Sequence, residues 1–159
     1  MAINTNNTRL TVKPQEFSIL SIISHSNESL DLKSRLKLLI YLTDEELDDK
    51  YNIYSYSKGN VGPEPKNMNN HLESLSDKGI ITIKTTRTFG GDKRYEYSIN
   101  QSHRDIIDEL TKRTDDANKL HTIIGDIHNK YGDIPISNLM AIVRKEYPLY
   151  FQNNTETWY

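Results

Sequence analysis

The chain has 159 residues, a formal net charge of −2 and no cysteine. This length suffices for one domain with an extension but not for two large domains. The lack of cysteine excludes disulfides, thiol catalysis and cysteine-ligated zinc or iron–sulfur sites. A net charge near zero gives no overall attraction to nucleic acid, so any electrostatic contact with a polyanion must be local.

The N-terminal part of the chain is predicted to be a disordered tail followed by two helices. Residues 1–10 lack the basic start and apolar middle of a signal peptide, and no apolar run reaches membrane-spanning length, so a cytoplasmic location is expected. The first helix is predicted over Pro14 to His25. The second is predicted to start at an N-cap Asp31 and to end near Leu47. Its acidic end, residues 44–49, is interpreted as a solvated helix end.

A third helix is predicted between two breaks in the chain. Pro63 or Pro65 suits its first turn, where no backbone N–H is needed. Gly79 suits the left-handed position just after its end. Its apolar stripe, at spacings of four and three residues, consists of Met68, Leu72 and Leu75.

A basic β-hairpin is predicted after this helix. Residues 80–86 are rich in β-branched side chains, residues 90–92 (Gly-Gly-Asp) are a turn signal, and residues 95–99 alternate as a returning strand does. From Lys58 to Arg104, eight Lys and Arg residues oppose five Asp and Glu residues. A helix followed by a basic hairpin is typical of the recognition helix and wing of a winged-helix domain. This pattern indicates a protein that binds nucleic acid or a partner.

The candidate contacts with DNA lie on the third helix and at the hairpin turn. The helix is expected to face the major groove, where Asn can pair with adenine, and the basic turn to hold phosphate or the minor groove. A hydrated helix face and an ordinary solvated hairpin end are the alternatives. The predicted DNA-contacting residues are Lys66, Asn67, Asn70, His71, Arg87, Lys93 and Arg94.

A heptad-like apolar stripe occupies the segment 102–131. Its members, at alternating steps of three and four residues, are Ile106, Leu110, Ala117, Leu120, Ile124, Ile127 and Tyr131. The stripe predicts a long helix that forms a homodimer through residues 101–131. Packing on the first two helices is the alternative, and a new helix starting at Asp115 would divide the segment. His121 and His128 are interpreted as surface or packing residues.

The C-terminal part is predicted to end with one more helix and a tail. Ser137 is the expected cap of that helix, which stops before Pro148. The domain organisation is therefore a tail over 1–10, a winged-helix domain over 11–100, C-terminal helices for packing or dimerisation over 101–150, and a tail over 151–159.

Several short motifs are similar to those of a known group of proteins. They are Tyr54–Gly59, Gly62-Pro63, Lys78–Ile81 and Tyr95–Ile99, with Tyr131–Ser137 and Glu146–Pro148 near the end. In these motifs the chain resembles the YwgA-like group of small archaeal and bacterial winged-helix proteins. The hairpin and the helix after it also look like those of PadR-type repressors, whose C-terminal helices dimerise. The resemblance implies a winged-helix regulator.

The sequence thus predicts a mainly α protein with a small β-hairpin, a winged helix-turn-helix plus a C-terminal helical extension. We expect a homodimeric, sequence-specific, double-stranded DNA-binding protein that regulates transcription. No nucleophile elbow or Walker loop occurs, and no catalytic residue, metal site or cofactor is predicted. The alternative is a protein-interaction module, antitoxin-like or complex-assembling, whose contact is the acidic segment or the cluster Tyr41, Tyr51, Tyr54 and Tyr56.

Overall fold

The computed structural model describes residues 3–4, 11–47 and 52–151 of the chain. Within these ranges the protein combines α-helices with short antiparallel strands, and single 3-10 turns lie at Gln101–His103 and Pro148–Tyr150. The strands are β1 (Ile3–Asn4), β2 (Thr11–Val12), β3 (Ser29–Asp31), β4 (Tyr56–Lys58), β5 (Pro63–Pro65), β6 (Ile81–Arg87) and β7 (Lys93–Ile99). The helices are α1 (Pro14–His25), α2 (Lys33–Glu46), α3 (Met68–Asp77), α4 (Ile106–Arg113), α5 (Asp115–Tyr131) and α6 (Ile136–Glu146).

Helix α1 is the central element of the fold. Its large apolar side chains are all buried, namely Phe17, Ile19, Leu20, Ile22 and Ile23. They cover more of the helix circumference than a single stripe would, so α1 must be covered on several sides. It contacts α2, α3, α4 and α5 as well as β3 and β7. The predicted helix over Pro14 to His25 is confirmed.

A three-stranded antiparallel sheet, in the order β3-β7-β6, packs against α1. In this sheet Ile81 lies opposite Ile99, and Leu30 of β3 lies opposite Tyr97. These four side chains are buried, whereas the hairpin is exposed from Lys84 to its turn. The predicted hairpin is confirmed, and its turn end extends beyond the core into solvent.

The predicted N-cap role of Asp31 is wrong. Asp31 lies in β3 opposite Glu96 of β7, and α2 starts at Lys33 instead. Between them Leu32 has a φ of 73°, a left-handed conformation that redirects the chain from strand to helix. Strand pairing with β7 therefore determined this boundary. The sequence had only the local preference of Asp for helix starts.

Two further predictions of helix starts are also wrong. Pro63 and Pro65 lie in β5, which pairs with β4, and α3 begins only at Met68. Both strands of this two-stranded sheet are edge strands, which tolerate proline although it lacks a donor for the ladder. At the last helix, Ser137 lies inside the first turn of α6 and does not cap it. The left-handed conformation predicted for Gly79 after α3 is confirmed, with a φ of 73°.

The single long helix predicted over 102–131 is wrong, and the division at Asp115 is confirmed. Thr114 has extended backbone angles, and its hydroxyl accepts a hydrogen bond from the Ala117 N–H at 3.1 Å. Thr followed by two Asp residues strongly favours a helix start. A new helix therefore begins at Asp115, and the apolar stripe is divided between two helices.

The apolar stripe of α4 and α5 packs inside the chain. Its members Ile106, Leu110, Ala117, Ile124 and Ile127 are buried in the same core as α1 and α2, and Leu120 and Tyr131 are partly buried. Helix α5 contacts α1, α2 and α4. The stripe therefore packs within one chain, as stated in the alternative to the homodimer. It gives the predicted homodimer no support.

The predicted N-terminal tail contains one described strand. Ile3–Asn4 (β1) pairs with Thr11–Val12 (β2), so this part of the tail is not irregular. Residues 1–2, 5–10, 48–51 and 152–159 lie outside the described residues, and so does the greater part of both predicted tails. The buried side chains of the predicted 11–100 and 101–150 units form one hydrophobic cluster, so the two units share a core.

A buried carboxylate joins α1 to the end of α3. Glu16 is 1% exposed, accepts a hydrogen bond from the Lys13 N–H at 2.9 Å, and lies 3.2 Å from the Lys78 Nζ. Burial raises the pKa of Glu16, but the bonds from Lys13 and Ser74 and the charge of Lys78 outweigh it, so the pKa is below its ordinary value. This contact fixes the position of α3 on α1.

Replacing this carboxylate should destabilise the protein. Glu16→Gln should lower the free energy of unfolding by about 1.5–3 kcal/mol, the usual range for a hydrogen bond to a charged group. Chemical denaturation followed by circular dichroism measures it, with the exposed α4 substitution Glu109→Gln as control. Because the folded pKa is lowered, this stabilisation is present above about pH 4.5 and is lost as the pH falls further. A loss no larger than that of Glu109→Gln would contradict the assignment.

Three histidines form a stack between α1 and α5. The His25 ring lies 4.2 Å from that of His121 and 6.2 Å from that of His128, measured between centroids. His121 Nδ1 is hydrogen-bonded to the Ser21 Oγ at 2.6 Å. Gly125 makes room, since a Cβ there would lie 2.9 Å from the His25 ring. The interpretation of His121 and His128 as packing residues is consistent with this arrangement.

The stack should make the protein less stable in mild acid. Burial and then the neighbouring His25 lower the pKa of His121, with Asp108 opposing them. The unfolded chain therefore takes up the proton first, so the stability that neutral His121 contributes is present above about pH 6.5 and is lost below it.

This pH dependence is measurable by denaturation at a series of pH values between about 7.5 and 5.5. The wild type should lose stability towards the acid end, and His121→Gln should lose less. The control is His103→Gln in the 3-10 turn after β7, which should follow the wild type. Equal losses in His121→Gln and wild type would refute the explanation.

Candidate nucleic-acid interface

Three parts of the fold meet at one surface, and Lys33 connects them. Its Nζ donates a hydrogen bond to the Asn69 Oδ1 of α3 at 3.0 Å and lies 4.4 Å from the ring centroid of Tyr95 in β7. The N–H of Leu32 also donates to the Tyr95 carbonyl at 2.8 Å. The start of α2, the start of α3 and the hairpin are thus held next to one another. We call this surface the basic face.

A cleft of about 380 Å³ lies in the basic face, between the start of α2, the loop before β5 and the start of β7. Its charged and hydroxyl side chains are Lys33, Ser34, Lys37, Glu64, Lys93, Arg94 and Tyr95. Four cations therefore oppose one carboxylate. Burial and, to a smaller extent, the nearby Lys37 charge lower the pKa of Lys33, with Glu64 opposing them. Such a lining attracts an anion.

The basic residues predicted at the hairpin turn are all exposed. Arg87 and Lys93 are the last opposed pair of β6 and β7, and the Arg87 guanidinium donates to the Gly91 carbonyl at 2.9 Å. Arg94 forms an ion pair with Asp31. The structure therefore brings Lys93 and Arg94 into the cleft, while Arg87 lies at the base of the turn.

The predicted residues of α3 divide into two groups. Lys66, Asn67 and Asn70 are exposed at the start of the helix, beside Asn69. His71 is half-buried and its Nδ1 is hydrogen-bonded to the Tyr54 hydroxyl at 2.7 Å. Burial lowers the pKa of His71. His71 is therefore bound within the protein by Tyr54, whereas the other three side chains face solvent.

Sequence reasoning missed two residues of the basic face, Lys33 and Lys37. They are four residues apart on α2, a spacing that places two side chains on one side of a helix. The pattern was present in the sequence, but nothing in it indicated that this side of α2 lies beside the hairpin. Only the pairing of β3 with β7 brings them together.

Acidic residues interrupt the basic face. Glu64 lies 2.7 Å from the Lys37 Nζ, and Asp31 neutralises Arg94. The charged residues within α3 itself are both acidic and exposed, Glu73 and Asp77. The positive charge is therefore concentrated in the cleft and the hairpin turn, and the exposed side of α3 presents amide groups and carboxylates.

The tyrosine cluster proposed for the alternative function is packed inside the protein. Tyr41 and Tyr54 are buried, and the Tyr41 ring meets those of Tyr56, Tyr147 and Tyr150 edge-on. The prediction of an exposed tyrosine contact is wrong for Tyr41 and Tyr54. The Tyr41 ring packs between α2, β4 and the segment that follows α6, and the Tyr54 ring packs on His71 of α3. Tyr51 lies outside the described residues.

The acidic segment is also partly internal. Asp44 is buried, accepts the backbone N–H groups of Ile53 at 2.6 Å and Tyr54 at 3.2 Å, and is hydrogen-bonded by the Tyr56 hydroxyl. It secures the chain that leads into β4. The interpretation as a solvated helix end holds for the exposed Glu45 and Glu46 and is wrong for Asp44.

Comparisons of this chain with protein-family models, with curated proteins and with solved structures find no match. In the part of the chain that the structure describes, no group of three or more His, Asp or Glu residues is placed to hold a metal ion. Among the same residues, none of the helices has the length and apolarity needed to cross a membrane.

Proposed function

We propose that this chain is a winged-helix protein that binds double-stranded DNA and regulates transcription. The observation that carries the proposal is the meeting of the start of α2, the start of α3 and the basic hairpin at one face. The elements α1, β3, α2, α3, β6 and β7 follow one another in the order found in winged helices, with β3 paired to β7, and this order supports the proposal. The pair β4–β5 is an insertion between α2 and α3. In winged-helix proteins the helix and the hairpin contact the same duplex.

In this proposal the exposed amides at the start of α3 face the major groove. Asn67 and Asn70 can each present a donor and an acceptor to a base edge, and the pair with adenine is the most favourable. Asn69 can present its amide N–H groups, since its Oδ1 accepts from Lys33. Lys66 adds a charge beside them. His71 has a structural role in the proposal, since its hydrogen bond to Tyr54 holds α3 on the loop that precedes β4.

The hairpin and the cleft supply the phosphate contacts. Arg87 and Lys93 are exposed and lie on opposite strands at the turn, so they can contact phosphates on either side of a groove. Lys33 extends this charge to the start of α2. Each phosphate contact displaces counterions, so affinity should fall steeply with salt.

The hairpin charges should determine much of the salt dependence of binding. Removing two phosphate contacts with the double substitution Arg87→Ala/Lys93→Ala should weaken binding to all duplexes and make the salt slope shallower by about two. Fluorescence anisotropy of a mixed duplex pool across a salt series measures both quantities.

The control is Lys119→Ala/Lys145→Ala, which removes the same charge from exposed positions on α5 and α6. This control should retain the wild-type slope. The proposal fails if wild-type protein does not bind duplex at low salt, and the hairpin assignment fails if both double variants behave alike.

One observation favours a second function, binding of a partner protein. The exposed side of α3 carries Glu73 and Asp77 rather than cations, and acids neutralise two of the four cleft cations. These carboxylates would repel phosphates, whereas a basic protein surface would pair with them.

Charge removal on α3 distinguishes the two functions. If α3 approaches DNA, Glu73→Gln should tighten duplex binding, because it removes a repulsion close to the phosphates. The matched control is Glu109→Gln on the exposed side of α4, which should leave affinity unchanged. Weaker or unaltered duplex binding by Glu73→Gln would count against groove insertion and in favour of the protein partner.

A further inference from the structure

A fully exposed phenylalanine lies at the turn of the basic hairpin. Phe89 has a relative exposure of 111%, so its ring contacts no other part of the protein. Among the described residues the other large exposed hydrophobic side chain is Leu149, in the 3-10 turn after α6. A phenylalanine side chain left in water forgoes the stabilisation that burial of its ring would give. Nothing in the fold requires an aromatic ring at this position.

The turn that carries Phe89 is held by a set of hydrogen bonds. The Gly91 N–H donates to the Thr88 carbonyl at 2.9 Å, which makes Phe89 and Gly90 the central residues of a β-turn. The Thr88 N–H donates to the Asp92 carbonyl at 2.8 Å, and Gly91 has a φ of 88°. A β-turn followed by a left-handed glycine is a common and well-defined hairpin end. The backbone that carries the ring is therefore well defined, and the ring extends from it into solvent.

Cations surround the ring on the two strands. Between Lys84 and Arg94 the hairpin has four Lys and Arg residues and one carboxylate, Asp92, and all are exposed. The Arg87 guanidinium donates to the Gly91 carbonyl and so adds its own bond to the turn. An apolar side chain that protrudes from a cationic surface is complementary to a polyanion that also offers an apolar slot. Base pairs in DNA offer such a slot between their flat faces.

We infer that Phe89 is a wedge that inserts between base pairs from the minor groove. Arg87 and Lys93 hold the phosphates on either side while the ring partly unstacks one base step and bends the duplex. This inference rests on the proposed DNA binding and adds a contact that does not depend on charge. It assigns Phe89 a role in selecting deformable steps, which unstack at the lowest cost.

The wedge can be separated from the phosphate contacts by its salt behaviour. Phe89→Ala should weaken duplex binding on the order of tenfold at every salt concentration and leave the salt slope unchanged, since no charge is removed. Phe89→Leu should retain most of the affinity, because leucine also serves as a wedge. Since Phe89 packs on nothing, neither variant should alter folding.

The decisive measurement uses a duplex containing a fluorescent adenine analogue whose emission is quenched by stacking. Wild type and Phe89→Leu should raise the emission on binding, and Phe89→Ala should not. The matched control is Leu149→Ala, the other exposed hydrophobic residue, which should behave as wild type in affinity and emission.

The outcomes distinguish the wedge from the proposed function. If the wild type binds with a steep salt slope while Phe89→Ala matches it in affinity and emission, the wedge is wrong and DNA binding stands. If the wild type binds no duplex at low salt, both the wedge and the proposed DNA binding are wrong. Loss of affinity in Leu149→Ala equal to that in Phe89→Ala would also overturn the wedge.

Discussion

The fold depends on the need to bury α1 on all sides. Its five large apolar side chains cover most of the helix circumference, so one neighbouring layer cannot shield them. The sheet and α3 cover part of it, and α2, α4 and α5 cover the rest. Because the C-terminal helices belong to this cover, their apolar stripe is used inside the chain. The same constraint thus determines where α3 lies and why the apolar side of α5 is covered within the chain.

The basic face follows from a backbone pairing rather than from the attraction of its side chains. Residues 29–31 pair with β7, and the chain then turns at Leu32 into α2. This connection forces the first turn of α2 to lie against the base of the hairpin, although both carry cations. The repulsion is offset locally, by the ion pairs of Lys37 with Glu64 and of Arg94 with Asp31. The charge that remains for a ligand includes that of Lys33, Lys66, Arg87 and Lys93.

In the proposed function this division of charge has a consequence for recognition. A face with few uncompensated cations binds a polyanion only modestly through charge. Further affinity and selectivity would then have to come from the amides of α3 and from the apolar ring of Phe89. Specificity by base contact and by deformation of the duplex are independent of net charge, which agrees with a chain whose overall charge is −2.

The sequence by itself determined the elements with strong local signals. Helix α1, the β6–β7 hairpin and the left-handed Gly79 follow from apolar density, β-branched residues and glycine, and they do not depend on distant partners. The candidate residues of the hairpin could be named for the same reason, because charge at a turn is exposed whatever the fold. Phe89 was in the same segment, but its lack of contacts is a property of the folded chain.

The tertiary structure decided whatever depends on pairing between distant segments. Asp31 is a residue type that favours helix caps, but it lies in a strand because its backbone pairs with β7. The same pairing places Lys33 in the basic face, and His71 is hydrogen-bonded to Tyr54 instead of facing solvent. The stripe of α4 and α5 was visible in the sequence, but its periodicity is the same whether the partner is another copy or α1. A sequence pattern states that a surface must be covered, and only the tertiary structure specifies what covers it.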